Sequence, residues 1–251
     1  MKGQVGDAES MITVAAVRLA RGLAAIILFL LATTPGRAFT DAELIDGFNR
    51  TVFGSEYQTL GWQSHLVKKF TGPVRVLVDD RSSKRRGGEV ADFVRSLPGL
   101  IENLDISLVA APEDANYRIF VVDRAAYRDV VAREVYGRAS TNFAPGKCLV
   151  RVVSAGWGIA RSDAVIVADE GEFLFHRCMV EETLQGLGPV NDDRSLMLSV
   201  FNDISLQSVF TSFDRQILNM LYHPLIEAGM TKAEAQRVLP TVARDVNSRL
   251  R

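Results

Sequence analysis

The sequence contains little histidine and cysteine, and neither sign of charge predominates. Its 251 residues include 3 His, 2 Cys and 8 Pro, and 29 Lys and Arg nearly balance 30 Asp and Glu. A net charge of -1 argues against a nucleic-acid-binding domain, which is usually clearly basic. The scattered prolines and apolar residues exclude a collagen, a coiled coil and a disordered tail. Any metal or thiol site in this chain must therefore be built from few imidazoles and thiols.

A short apolar run near the N-terminus is typical of an export signal. Two arginines precede an uncharged stretch over residues 22–34, which is shorter than a membrane-spanning helix. Gly36 and Ala38 then stand where a signal peptidase reads small residues. We therefore predict a signal peptide over residues 1–38 and a mature protein that is periplasmic or secreted. An uncleaved segment is the alternative, and it would be the only link of the protein to a membrane.

The two cysteines can pair if the chain is exported. Cys148 and Cys178 would then lie in an oxidising compartment, where disulfides persist. We predict a disulfide between them, with two buried free thiols as the alternative. Closing a loop of about 30 residues in this way contributes about 3–4 kcal/mol to stability.

Residues 39–251 are predicted to form a single domain of the α+β class. Segments with strand composition lie at 73–79, 106–111, 116–123, 148–154 and 164–168. Helical spacing predicts helices between the strands and through the last third of the chain. Three of these helices begin with the pattern of a capping box, at Thr40, Thr211 and Thr231. Strands in the first part and helices at the end are typical of an α+β fold.

One predicted helix combines acidic and amide side chains with a glycine turn. Glu181 and Gln185 are four residues apart and share one face of the helix, and Glu182 lies about 100° round its axis. A glycine three residues after Gln185 ends the helix, and the chain turns so that Asn191 or Asp192 can return towards the same face. This is the spacing of a metal-binding helix whose third ligand follows a glycine turn.

The segment resembles the long zinc motif of the metzincin proteases, His-Glu-x-x-His-x-x-Gly-x-x-His. Glu181, Gln185 and Asn191 occupy the three ligand places of that motif, and Glu182 occupies the place of the general base. Met197 lies in an apolar stretch that resembles the methionine-containing turn after the metzincin zinc helix. The resemblance implies a zincin-like fold, with a mixed sheet of four to five strands followed by a helical C-terminal part.

A second pattern extends beyond this helix. It comprises Glu181-Glu182-x-x-Gln185-x-Leu-Gly188, Phe201-Asn202-Asp203 and Leu221-Tyr222-x-Pro224. These residues resemble a family of exported bacterial proteins known as domain of unknown function 2927, over about residues 39–239. That family has no assigned activity, so the resemblance implies export and a shared fold but no substrate or partner.

The missing imidazoles argue against a zinc protease. A catalytic zinc site needs His nitrogens with at most one carboxylate, and an amide oxygen is a poor zinc ligand. His65, His176 and His223 have no spacing that would rebuild such a site. We therefore predict a scaffold that has lost its metal and holds no cofactor. The alternatives are a retained zinc, or a calcium ion, which prefers oxygen ligands but needs six to eight of them.

The predicted function is that of an exported, non-catalytic binding module for a peptide or cell-envelope ligand, and not for nucleic acid. The predicted residues of its cleft are Glu181, Gln185, Asn191, Asp192 and Met197. The alternative is a hydrolase in which Glu182 and neighbouring carboxylates act as general acid and base, with or without a metal. A structural protein without a ligand cleft is the third hypothesis. Glu182 separates them, because a ligand cleft requires it to face open space rather than packed side chains.

Overall fold

A computed structural model describes residues 39–54, 65–138 and 144–250, and the predicted signal peptide over residues 1–38 lies outside them. Residues 39–251 form one compact unit. Among the described residues, no helix has both the length and the apolarity that crossing a membrane requires.

Five strands form a mixed sheet in the described part of the chain. They are β1 (Val74–Asp80), β2 (Ile106–Leu108), β3 (Tyr117–Val122), β4 (Leu149–Ala155) and β5 (Gly158–Val167). Their order is β2-β1-β3-β5-β4, in which the first four run parallel and β4 is antiparallel to β5 at one edge. The central strands β3 and β5 are buried over most of their length, as expected when helices cover both faces. The α+β class and the mixed five-stranded sheet confirm the coarse prediction.

The helices begin and end where local signals in the sequence place them. Those described are α1 (Asp41–Val52), α2 (Gly87–Ser96), α3 (Arg124–Val130), α4 (Glu172–Gln185), α5 (Ser212–Leu221) and α6 (Lys232–Arg249). Capping boxes begin α1, α5 and α6, because the hydroxyls of Thr40, Thr211 and Thr231 each accept from the backbone N–H three residues on. The segment 90–104 was expected to form a helix that Pro98 kinks or splits, and it is split: α2 ends at Ser96 and Pro98 lies in the 3-10 turn that follows.

The sheet separates two apolar cores. Successive residues of a strand point to opposite faces, so Ile119 of β3 belongs to one core and Phe120 to the other. The smaller core contains residues of α3 and of the π-helical turn that continues it, Val131–Val135. The larger core contains buried residues of α1, α2, α4, α5 and α6. Helix α4 therefore lies in the interior and not on the solvent side of the molecule.

Helix α4 is anchored to the sheet at its C-terminal end. Residues 177–185 are all buried, which leaves the last carbonyl groups of the helix without access to bulk water. Tyr117 of β3 donates its hydroxyl to the carbonyl of Glu182 at 2.7 Å, and Ser162 of β5 donates to the carbonyl of Gly186 at 2.7 Å. These bonds fix the height of α4 above the sheet and so the positions of its polar side chains.

Candidate functional site

A cavity of about 320 Å³ lies between the N-terminal end of β4, helix α4 and the irregular segment that follows it. We call this cavity the acidic cleft, and we call residues 194–210 the rim segment. The charged residues of the cleft wall are Glu181, Glu182, Asp192, Asp203, Arg177 and Lys147. Four carboxylates against two cations leave the cleft with an excess of negative charge, which attracts cations.

Two other cavities lined by described residues are larger, and neither collects as many charges of one sign. One, of about 440 Å³, has Lys69 with Asp105 and Glu227 in its wall. The other, of about 800 Å³, has Arg237 with Glu227 and Glu234 in its wall. Each therefore combines one cation with two carboxylates, and neither contains a residue of the zinc-like motif.

Glu181 is paired with Arg177 one turn earlier on α4. Its Oε1 accepts from Arg177 Nη2 at 2.9 Å, and both side chains are less than a tenth exposed. A buried ion pair stabilises a fold only if further hydrogen bonds offset its desolvation. Arg177 makes such bonds, because it also donates to the backbone carbonyls of Val200, Asn202, Ser205 and Gln207. The guanidinium thus joins α4 to the rim segment and holds Glu181 at the cleft.

Three carboxylates converge in the cleft. Glu181, Asp192 and Asp203 each offer an oxygen, and these oxygens all lie within 4.8 Å of one another. Carboxylate oxygens are better ligands for a hard cation than for zinc, and they also accept hydrogen bonds from an ammonium group. Glu182 also lines the cleft, although its side chain is only 6% exposed.

Of the residues after the glycine turn, Asp192 and not Asn191 returns to the helix. Gln185 Nε2 donates to Asp192 Oδ1 at 2.8 Å, so Gln185 supports the cleft wall without forming part of it. Asn191 Nδ2 instead donates to the carbonyl of Arg50 at 2.7 Å, which ties the turn to the end of α1. The three positions aligned with zinc ligands therefore do not point to one centre.

The turn that returns Asp192 to the helix requires glycine. Gly188 has a φ of 140°, a backbone conformation that residues with a side chain rarely adopt. A Cβ at this position would also collide with the carbonyl oxygen of Lys68. Glycine is thus required after α4 both by the turn itself and by close packing against the backbone of Lys68.

The prediction that Met197 lines the cleft is wrong, and Asp203, which was not predicted to line it, does so. Met197 is 55% exposed and lies outside the cleft wall, with its sulfur 3.5 Å from Asn202 Nδ2. Asp203 lines the cleft, although the spacing did not single it out. Its signal in the sequence is the pattern Phe201-Asn202-Asp203, but the pattern does not say which of its members reaches the cleft.

The disulfide between Cys148 and Cys178 is present, as predicted. It joins the residue before β4 to the middle of α4, and Cys148 forms part of the cleft wall. The bond therefore fixes the edge strand against the helix that carries Glu181 and Glu182. The sulfur of Cys148 lies within 4.8 Å of carboxylate oxygens of Glu181 and Glu182, but a disulfide sulfur is not a thiolate ligand.

The residues present do not fit a catalytic zinc. All three histidines of the chain are described, and none lines the cleft. His176 Nε2 lies 3.4 Å from Glu89 Oε2, His223 Nε2 lies 3.0 Å from Asp245 Oδ2, and His65 is exposed. Three carboxylates without an imidazole are not a zinc donor set.

The buried carboxyl of Asp214 holds the rim segment through hydrogen bonds. Asp214, in the first turn of α5, accepts hydrogen bonds from Ser199 Oγ at 2.6 Å and Thr211 Oγ1 at 2.7 Å, and from the backbone N–H of Val200. Burial raises the pKa of Asp214 to about 6 even though these bonds act to lower it. The carboxyl therefore links the start of α5 to the residues that lead into the cleft wall.

The comparisons with known proteins give a family but no relative of known activity. A family model described as "Protein of unknown function (DUF2927)" matches residues 41–241. The match includes every carboxylate of the acidic cleft and the disulfide. No curated protein and no solved structure matches the chain.

Proposed function

The chain belongs to the DUF2927 family, and from this premise we propose that it is an exported binding module whose acidic cleft takes a cationic group of a peptide or cell-envelope ligand. The observation that carries the proposal is the convergence of Glu181, Asp192 and Asp203, with Glu182 in the same cavity. An ammonium group has three N–H donors and a guanidinium has five, so either can satisfy several carboxylates at once.

We propose that the scaffold is zincin-like and has lost its zinc. Three features support this: the interior position of α4, the glycine turn at Gly188, and the return of Asp192 to the helix. The amide of Gln185 bonds to Asp192, and that of Asn191 bonds to α1, so neither remains directed at a metal. These hydrogen bonds give both amides a structural role that does not depend on a metal, which supports the proposal.

Elemental analysis of the purified protein tests the loss of the metal. We expect well below about 0.1 equivalent of zinc, because structural and catalytic zinc bind tightly enough to survive purification. Zinc at about one equivalent, lost on the substitution Glu181→Ala in a protein that still folds, would contradict the proposal.

Calorimetric titration with two tripeptides tests the binding of a cation. The N-acetylated, C-amidated peptides Ala-Lys-Ala and Ala-norleucine-Ala differ in charge and hardly in size. We expect the lysine peptide to bind at least about tenfold more tightly, with an affinity that falls as salt is added. Glu182→Gln and Asp203→Asn should each weaken its binding by about tenfold, since a hydrogen bond between charged groups is lost.

The control for these substitutions is Glu113→Gln. Glu113 is exposed in the turn before β3 and lies outside the cleft wall, so its substitution removes one charge without changing the cleft. We expect unchanged affinity for the lysine peptide. Equal binding of the two tripeptides by the unmodified protein would refute the proposed function.

A second function is favoured by the presence of several carboxylates in one cleft. Two carboxyl groups, one acting as acid and one as base, are enough for hydrolysis of some bonds without a metal. Glu182 and Asp203 both line the cleft and could divide these roles. Mass spectrometry of the lysine peptide after long incubation separates the two functions. Cleavage that Glu182→Gln abolishes would establish a hydrolase, whereas intact peptide supports a binding module.

A further inference from the structure

Exposed apolar side chains are concentrated in the first turn of α4 and in the rim segment, two elements that contribute residues to the acidic cleft. Among the described residues, eight large apolar side chains are exposed, and six of them belong to the first turn of α4 or to the rim segment. These six are Phe173, Met197, Leu198, Ile204, Leu206 and Val209. Single exposed apolar residues are normal on a protein surface, but a concentration of them marks an interaction site.

The apolar residues alternate with residues of the cleft wall. Asp203 and Ser205 line the cleft, whereas Ile204 between them is 55% exposed and Leu206 after them is 84% exposed. Phe173, which is 48% exposed, contributes to the wall from α4. The wall of the acidic cleft thus includes one exposed aromatic side chain from α4, and two exposed aliphatic residues directly follow wall residues in the rim segment.

The rim segment is held in place and cannot easily bury these side chains itself. Arg177 donates to the carbonyls of Asn202 and Ser205, and Ser205 Oγ donates to the carbonyl of Ser199 at 2.8 Å. Asn202 Oδ1 accepts from the backbone N–H of Ile204 at 2.9 Å. Because hydrogen bonds already hold this backbone, binding of a ligand over Ile204 costs little conformational entropy in the segment.

We propose that the cleft and its rim bind a peptide segment in which one Lys or Arg is flanked by large apolar residues. This inference rests on the proposed function: the basic side chain enters the cleft, and its neighbours pack on Phe173 from one side and on Ile204 and Leu206 from the other. Charge favours this occupant over a membrane, because the excess of carboxylates in the cleft repels the anionic lipid surfaces that attract basic segments.

Calorimetric titration of the purified full-length protein with three capped tripeptides tests the inference. The peptides are Leu-Lys-Leu, Ala-Lys-Ala and Leu-norleucine-Leu. We expect Leu-Lys-Leu to bind about tenfold more tightly than Ala-Lys-Ala, because its leucines bury apolar surface at the rim. Leu206→Ser should remove most of this gain. Leu206 is so exposed that the substitution should leave the thermal unfolding midpoint unchanged, which is measured in parallel.

The matched control is Leu225→Ser, since Leu225 is also exposed but lies outside the cleft wall and the rim segment. It should bind Leu-Lys-Leu as tightly as the unmodified protein does. Equal affinities for Leu-Lys-Leu and Ala-Lys-Ala would overturn the inference and leave the proposed function intact. Equal affinities for Leu-Lys-Leu and Leu-norleucine-Leu would overturn both.

A membrane as the occupant is distinguished with vesicles of phosphatidylcholine and phosphatidylglycerol. We expect no sedimentation of the protein with such vesicles. Sedimentation that Leu206→Ser abolishes, and that Leu225→Ser does not, would overturn the peptide as the occupant of the rim.

Discussion

The guanidinium of Arg177 is buried between α4 and the rim segment, where it donates to Glu181 and to backbone carbonyls. A solvent-facing helix would have explained Glu181, Glu182 and Gln185 without any site, yet the structure buries all three. Buried carboxylates need partners, and Arg177 on the same helix is one partner of Glu181. Ser199, in the rim segment, donates its hydroxyl to Asp214.

Asp214 gives the stability of the protein a predictable pH dependence. The pKa of Asp214 is about 6 in the folded protein against 3.8 as its ordinary value, so the folded state binds the proton more tightly than the unfolded state. The resulting stabilisation is complete below pH 3.8 and is lost as pH rises through about 6. A shift of this size corresponds to about 3 kcal/mol.

Chemical denaturation of the unmodified protein and of Asp214→Asn between pH 4 and pH 7 measures this contribution. Other carboxyls contribute equally to both proteins, so the difference between the two free energies of unfolding isolates Asp214. We expect that difference to shift by about 2 kcal/mol in favour of the unmodified protein as pH falls from 7 to 4, where the stabilisation is not yet complete. Parallel pH profiles would show that the carboxyl of Asp214 titrates normally.

At the scale of elements, the parts that were predictable from sequence are those set by neighbouring residues. The capping boxes at Thr40, Thr211 and Thr231 need only a residue three positions on, and all three are confirmed. Pro98 interrupts its helix for an equally local reason. The π-helical turn after α3 was not predicted, since nothing in the local pattern distinguishes it from a continuing α-helix.

The glycine turn after α4 is an element whose sequence is fixed by geometry. Gly188→Ala should lower the free energy of unfolding by about 3 kcal/mol or more, since it adds backbone strain and a collision with the carbonyl of Lys68. Urea denaturation measures the loss. The matched control is Gly99→Ala, because a Cβ at Gly99 meets no atom within 4 Å and its φ is ordinary. A loss no larger than that of the control would show that the turn can relax.

At the scale of the whole molecule, the disulfide joins the edge of the sheet to the central helix across 30 residues of sequence. Replacing both cysteines, Cys148→Ala with Cys178→Ala, should lower the free energy of unfolding by about 3–4 kcal/mol. Adding a reductant should lower the stability of the unmodified protein by a similar amount and leave the double variant unchanged. Two thiols that alkylate in the unreduced protein would contradict the pairing.

Local patterns in the sequence determined the fold class, the helix starts and the glycine turn, and a count of two cysteines left only one disulfide that could form. The scarcity of histidine also determined, without any structure, that a three-imidazole zinc site cannot be built from the motif helix. Only the tertiary structure decided that Asp192 rather than Asn191 returns to the helix and that Asp203 joins it. The physical reason is range: caps and turns depend on residues a few positions apart, whereas the acidic cleft depends on which distant segments the packed core brings together.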